Sequence, residues 1–272
     1  MSSQASPKGV VTVKTLRKFK ANGEKFTSLT AYDAAFAAVL DNAGIDVVLV
    51  GDSVGMVVQG RDTTIPVTID EIIYHSKMVA RGLKRAMLMV DMPFMSYATE
   101  DQALHNASRL MKEGGAQIVK LEWGALQLGM VRRFTECGVP VCAHLGLTPQ
   151  TYFKMGGYRV QGRDDDTAER MLNDAKALEE AGADVLLLEC VPQGLAKLIS
   201  NSVSTPVIGI GAGPDVDGQI LVLYDILDIA PGKRTRFSKN YMESNSSIHG
   251  AVAQYDREVR SGEFPLAEHS FE

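Results

Sequence analysis

Apolar residues fall along the chain in short continuous runs at 26–30, 46–50, 86–91, 117–122, 139–144, 184–189, 206–210 and 220–225. They are rich in Val, Ile and Leu and often flanked by Gly or Pro. That pattern predicts strands buried on both faces, as in a parallel sheet. Longer helical patterns separate them. The Ala-rich stretch 33–43 follows the first run. A helix over 69–82 has Thr68 as its N-cap, and one over 99–114 opens with Thr99 and Gln102 at capping-box spacing. A helix over 166–181 stops at Gly182.

The phrases AGID, GGAQ, CGVP and AGAD recur at Ala43, Gly114, Cys137 and Ala181. Each sets a glycine just ahead of a predicted strand, which is how a helix is stopped before the chain turns into a sheet. Eight such units in 272 residues favour a closed (β/α)₈ TIM barrel over an open doubly wound sheet. No linker or low-complexity tract divides the chain, so 1–272 reads as a single barrel domain. Within it, 1–10 reads as a flexible end and 14–22 as a short helix able to cover the barrel bottom. The stretch 241–272 reads as a C-terminal helix and tail.

Composition narrows the function. Hydrophobic residues make up 45% and charged residues 22%, enough apolar material for a large core. A net charge of −5 argues against general nucleic-acid or anionic-membrane binding. The densest basic stretch, Lys233, Arg234, Arg236 and Lys239, reads as a solvated face. Cys137, Cys142 and Cys190 form no CxxC pair and suggest neither a disulfide framework nor a zinc site. The N-terminus has no secretory pattern and no run reaches a membrane span, so a cytoplasmic location is expected.

The informative signal is where the acids fall. Asp52, Asp91, Glu122 and Glu189 each stand at or just after the end of an apolar run. In a (β/α)₈ barrel all strand C-termini meet at one mouth, where active sites lie. Lys120 and Glu122 are two apart and share a side of their strand. Any one of these acids reads as readily as a helix cap or a loop residue. Four together with an internal lysine favour a site. Clustered carboxylates repel, and an oxygen-only set without Cys or paired His suits a hard ion such as Mg²⁺. His144 ends the fifth run and is a possible additional site residue. The glycines of GIGAGP, Gly209 to Gly213, read as a tight turn or a close approach to a ligand. Their spacing does not match a dinucleotide fingerprint.

Ordered blocks along nearly the whole chain carry a resemblance. They are SLTAYDAAFA from Ser28, LVGDSVGMVVQG from Leu49, VDMPFMSY from Val90, VKLE from Val119 and AHLGLTPQ from Ala143. Further blocks are GGYRVQGR from Gly156, LLLECVP from Leu186, VIGIGAG from Val207, DGQILV from Asp217 and FPLAEHSF from Phe264. Together they resemble the ketopantoate hydroxymethyltransferase family. The resemblance implies a (β/α)₈ barrel of the phosphoenolpyruvate/pyruvate type and a Mg²⁺ ion. It implies transfer of a hydroxymethyl group from 5,10-methylenetetrahydrofolate to 3-methyl-2-oxobutanoate through a Mg-stabilised enolate. The product is 2-dehydropantoate, on the way to pantothenate. It implies large homo-oligomers, often decamers. By motif, Asp52, Asp91 and Glu122 match the metal site, with Glu122 acting through water. Ser53 and Lys120 match the residues holding the keto acid's carboxylate, and Glu189 matches the proton acceptor. Trp123, Pro214 and Thr235 depart from the family pattern.

Two other readings stay open. One keeps the barrel and makes Lys120 a Schiff-base nucleophile in a keto-acid lyase or aldolase. The other has the chain bind a keto acid without turning it over.

Overall fold

The computed structural model describes residues 9–122, 124–232 and 234–272. Trp123, Lys233 and most of the 1–10 end lie outside the described residues. Eight parallel strands close in sequence order, β1 pairing with both β2 and β8. They are β1 (Phe26–Thr30), β2 (Val47–Val50), β3 (Met87–Asp91), β4 (Ile118–Leu121), β5 (Val141–Gly146), β6 (Val185–Glu189), β7 (Val207–Ile210) and β8 (Gly218–Leu221). Nearly every strand residue is buried, as expected of strands with side chains filling the barrel on one face and helices covering the other.

The helices are α1 (Val13–Ala21), α2 (Ala34–Ala43), α3 (Val54–Val57), α4 (Ile69–Gly82), α5 (Glu100–Lys112), α6 (Leu128–Glu136), α7 (Tyr152–Met155), α8 (Asp165–Glu180), α9 (Gln193–Ser202), α10 (Leu223–Ile226) and α11 (Ile248–Ser261). Side-chain oxygens of Thr12, Asp33, Thr68, Thr99, Asp164 and Ser247 each accept a backbone N–H of the first turn they precede. Thr68 and Glu71 complete a reciprocal box. The box expected at Thr99 is half formed: Gln102 accepts from the Ala98 N–H instead of the Thr99 N–H. Helix α1 covers the barrel bottom, with Arg17 and Lys20 pairing to Asp184 and Asp217, the residues just ahead of β6 and β8. No helix among the described residues is long and apolar enough to cross a membrane.

Two strand boundaries differ from expectation, and two helices were not foreseen. The eighth strand is Gly218–Leu221, and residues 223–226, read as its continuation, form α10. An apolar run alone does not separate a buried strand from a buried helical turn. Strand β5 runs on to Gly146, so His144 lies inside it. Helices α6 and α9 had weak signals: α6 begins without a capping side chain, and α9 follows Pro192 and carries Gly194 in its first turn.

In the GIGAGP segment, an added Cβ at Gly209 or Gly213 would meet Val216 or Gln193, so these glycines serve close packing of the chain on itself. The basic stretch is only in part a solvated face. Arg234 pairs with Asp228 and Glu243, and half-buried Lys239 with buried Glu258.

Candidate active site

All seven residues singled out in the sequence line one cavity of about 570 Å³ at the C-terminal mouth of the barrel. Asp91 and Glu189 are the last residues of β3 and β6, and Lys120 lies within β4. Glu122 is one residue past β4. Asp52 and Ser53 follow β2 on the turn into α3. That turn needs Gly51, because an added Cβ there would sit 2.9 Å from Ser53 Oγ and 3.2 Å from Asp91 Oδ2.

The cluster is buried and short of positive charge. Asp52, Asp91, Lys120 and Glu122 are exposed by 3%, 2%, 4% and 0%, so three buried acids face one buried cation. Lys120 Nζ donates to Asp91 Oδ1 at 2.6 Å, and the Asp52 N–H donates to Asp91 Oδ2 at 3.0 Å. Burial, then the neighbouring Asp91 and Glu122 charges, push the Asp52 carboxyl well above the usual carboxylate range. Burial also raises Asp91, although Lys120 pulls it back. Burial opposes the charge on Lys120, but Asp91, Glu122 and Asp52 outweigh it and raise the pKa. A Schiff-base nucleophile must be a neutral amine, so this environment works against that reading of Lys120.

His144 stands between two acids. Its Nδ1 is 3.6 Å from Glu122 Oε1 and its Nε2 3.4 Å from Glu189 Oε2. Burial and Lys120 oppose its protonation, yet Glu122 and Glu189 prevail, and its pKa lies above the ordinary histidine value. Glu122 Oε1 and both ring nitrogens are buried without a hydrogen-bond partner among the described residues.

Three residues that the sequence did not single out hold this set in place. Gln150, buried in the loop after β5, donates from Nε2 to Asp52 Oδ2 at 2.9 Å and to the Met92 carbonyl at 2.9 Å. Its backbone N–H donates to Glu122 Oε2 at 3.0 Å. Its Oε1 accepts from the Tyr97 hydroxyl at 2.6 Å, and that oxygen in turn accepts from the Glu122 N–H. One glutamine thus ties Asp52 to Glu122. Tyr32 places its hydroxyl 2.8 Å from Ser53 Oγ. Both tyrosines sit in matching blocks, but only the fold brings them to the acids.

The donors fit a hard divalent cation. They are oxygen atoms, they carry excess negative charge in a buried pocket, and Glu122 Oε1 has no hydrogen-bond partner among the described residues. No group of three His, Cys, Asp or Glu among the described residues forms a ready cage. An ion that binds through one or two carboxylates and keeps water or substrate oxygens for the rest, as Mg²⁺ does, suits such a set.

Fold and site together define a class: a (β/α)₈-barrel enzyme with a buried, acid-rich pocket at its C-terminal mouth. The ketopantoate hydroxymethyltransferase family profile matches residues 10–267, and the chain belongs to that family. It is 59% identical to the 3-methyl-2-oxobutanoate hydroxymethyltransferase of Alkalilimnicola ehrlichii, over 96% of this chain and 94% of that protein. To the enzyme of the same name from Shewanella loihica it is 57% identical, over 96% and 98%. Among solved structures, 2,3-dimethylmalate lyase, of the PEP mutase/isocitrate lyase superfamily, superposes with a TM-score of 0.57 at 17% identity, covering 79% of this chain and 81% of that one. Phosphonopyruvate hydrolase, solved with oxalate and Mg²⁺, gives 0.59 at 14% identity, covering 93% and 98%. These two likenesses concern the fold alone, a (β/α)₈ barrel.

Proposed function

We propose that the chain transfers a hydroxymethyl group from 5,10-methylenetetrahydrofolate to 3-methyl-2-oxobutanoate, forming 2-dehydropantoate for pantothenate synthesis. The observation that carries this reading is the meeting of Asp52, Asp91, Glu122 and Glu189 around Lys120 at one barrel mouth, in a chain matched to the family over residues 10–267.

Asp52 and Asp91 would hold Mg²⁺, with Glu122 reaching it through water. When bound, the ion acts as a Lewis acid toward the keto acid and makes the proton at its C3 easier to remove. Lys120, kept charged by its acidic neighbours, and Ser53, steadied by Tyr32, hold the substrate carboxylate. Glu189 projects into the cavity beside His144 and takes the C3 proton. A new C–C bond then joins C3 to the donor's methylene carbon, whose bonds to N5 and N10 break. Water supplies the hydroxyl oxygen, and tetrahydrofolate leaves carrying on its two nitrogens one proton from C3 and one from water. The burial of the cluster keeps bulk water from the carbanionic carbon. We also propose that copies of the chain assemble into a large homo-oligomer, as the resemblance implies, and that they work in the cytoplasm.

The test is formation of 2-dehydropantoate from the two substrates with Mg²⁺ and then with EDTA. Product that disappears on chelation supports the reading. Folded, metal-loaded protein that makes none overturns it.

A further inference from the structure

A second cavity, of about 930 Å³, adjoins the acid pocket, and His144 lines both. Its size is at the upper end of the roughly 300–1,000 Å³ that hold a drug-sized ligand. A transfer that forms a C–C bond needs two molecules side by side, so the carrier of the one-carbon unit must approach from space open to the acid pocket. This cavity is such a space.

Its chemistry is graded from inside to outside. Asp174, half-buried on α8, reaches the wall formed by Gly124 and buried Leu145: a Cβ added at Gly124 would meet Leu145 at 2.8 Å and Asp174 Oδ2 at 3.7 Å. One turn earlier on the same helix, Arg170 stands exposed, and Lys154 stands exposed on α7. Neither cation has a carboxylate within salt-bridge distance among the described residues: Arg170 Nε donates to the Asp166 carbonyl, and its charge acts on Asp164 from farther off. Phe153, 73% exposed, and Leu126, 84% exposed, stand apolar on the rim. Such side chains are covered when a flat ring system docks.

We propose that this cavity seats the one-carbon donor, and that Lys154 and Arg170 read its carboxylate tail. The donor's flat heteroaromatic end lies inside, against the wall formed by Gly124 and buried Leu145. Its glutamate carboxylates lie outside, against the two cations. This places the one-carbon unit near His144, at the junction with the keto acid. The inference rests on the hydroxymethyl-transfer reading and adds that donors with longer glutamate tails bind better.

The test uses tetrahydrofolate with one and with three glutamates, bound to the Mg²⁺-loaded protein and followed by calorimetry without oxygen. We expect the triglutamate to bind more tightly to the wild type, by a margin that shrinks as salt rises. The double variant Lys154→Glu, Arg170→Glu, altered only at exposed positions, should lose about tenfold in affinity or more and lose the preference for the longer tail. Its affinity for 3-methyl-2-oxobutanoate should not change. A separate Phe153→Ala variant should weaken both tetrahydrofolates alike. If the double variant binds both tetrahydrofolates as the wild type does, the subsite is elsewhere while the proposed reaction stands. If the wild type binds neither and makes no product from the methylene donor, the proposed function falls, and this inference with it.

Discussion

The two ends of the barrel handle their strand-end acids in opposite ways. At the bottom, Asp46, Asp184 and Asp217 each stand one residue ahead of a strand. Asp46, fully buried, pairs with Arg85 at 3.0 Å and Arg260 at 2.5 Å, and accepts from the Thr27 N–H. Asp184 pairs with Arg17 and accepts from the Val141 N–H, while Asp217 pairs with Lys20 and accepts from the Val207 N–H. Each of these three has a cation and a backbone donor; fully buried Asp46 has two arginines, while at half-buried Asp184 burial still raises the carboxyl against the pull of the Val141 N–H and Arg17. At the mouth, Asp52, Asp91 and Glu122 share one Lys120, and Glu122 Oε1 has no hydrogen-bond partner among the described residues. A structural role gives no reason for that deficit of positive charge. A cationic ligand does, so the bottom holds the barrel together and the mouth bears a cost for chemistry.

The largest expected effect breaks the mouth. Asp91→Ala removes the partner of Lys120 and one candidate ligand for the ion. We expect a loss of about 10³-fold in kcat/KM, the scale of removing a major electrostatic contribution to a transition state. Mg²⁺-dependent binding of the keto acid, read by calorimetry, should vanish. A variant that still binds the keto acid in a Mg²⁺-dependent way would remove Asp91 from the site.

The matching change at the bottom is Asp46→Ala. It strands Arg85 and Arg260, and we expect about 3–5 kcal/mol of lost stability in urea unfolding, the cost of breaking a buried ion pair from one side. Mg²⁺ affinity and kcat of the folded fraction should stay at wild-type values. A variant as stable as wild type but impaired in Mg²⁺ binding would invert the comparison.

Gln150 should show an intermediate effect. Gln150→Leu keeps the backbone N–H to Glu122 but loses the amide that orients Asp52. Groups that aim metal ligands typically contribute about 10–100-fold in affinity or activity. We expect Mg²⁺ binding, measured directly on the protein, to weaken on that scale. An unchanged Mg²⁺ affinity would reduce Gln150 to packing.

Much of this contrast was legible in the sequence, and the unread part has a physical cause. Apolar runs ending in Asp91 and Glu189 revealed both the barrel and its mouth, because strand period and strand direction are local properties. The strand boundary at 220–225 failed because Leu223 and Ile226 are as buried in a helical turn as they would be in a strand. Gln150 and Tyr97 were silent as site residues. Their role depends on the loops after β5 and β3 meeting, a contact across 53 positions that no spacing encodes. The bottom ion pairs were silent for the same reason, since Asp46 finds Arg260 only when the barrel closes.

The smallest expected effect sharpens the comparison through pH. Asp52 has its folded-state pKa above the unfolded value, because burial and the acids beside it disfavour the charged form. Such a group adds stability while it is protonated, below the unfolded carboxylate pKa. That contribution is lost as pH rises through the higher folded pKa. Asp52→Asn holds the position neutral at every pH. In metal-free protein, then, the variant and wild type should be similar in stability at acid pH. The variant should become progressively the more stable of the two as pH climbs from the ordinary carboxylate range through the raised one. Asp91 is raised as well and titrates with its neighbour, so the transition belongs to the pair and should be broad. Adding Mg²⁺ should restore stability to the wild type at neutral pH and do little for the variant, since only the wild type has the charge the ion neutralises. Urea midpoints across the pH range, with and without Mg²⁺, make the measurement. Parallel curves for the two proteins would mean that Asp52 is already compensated in the folded chain, and the contrast between mouth and bottom would lose its basis.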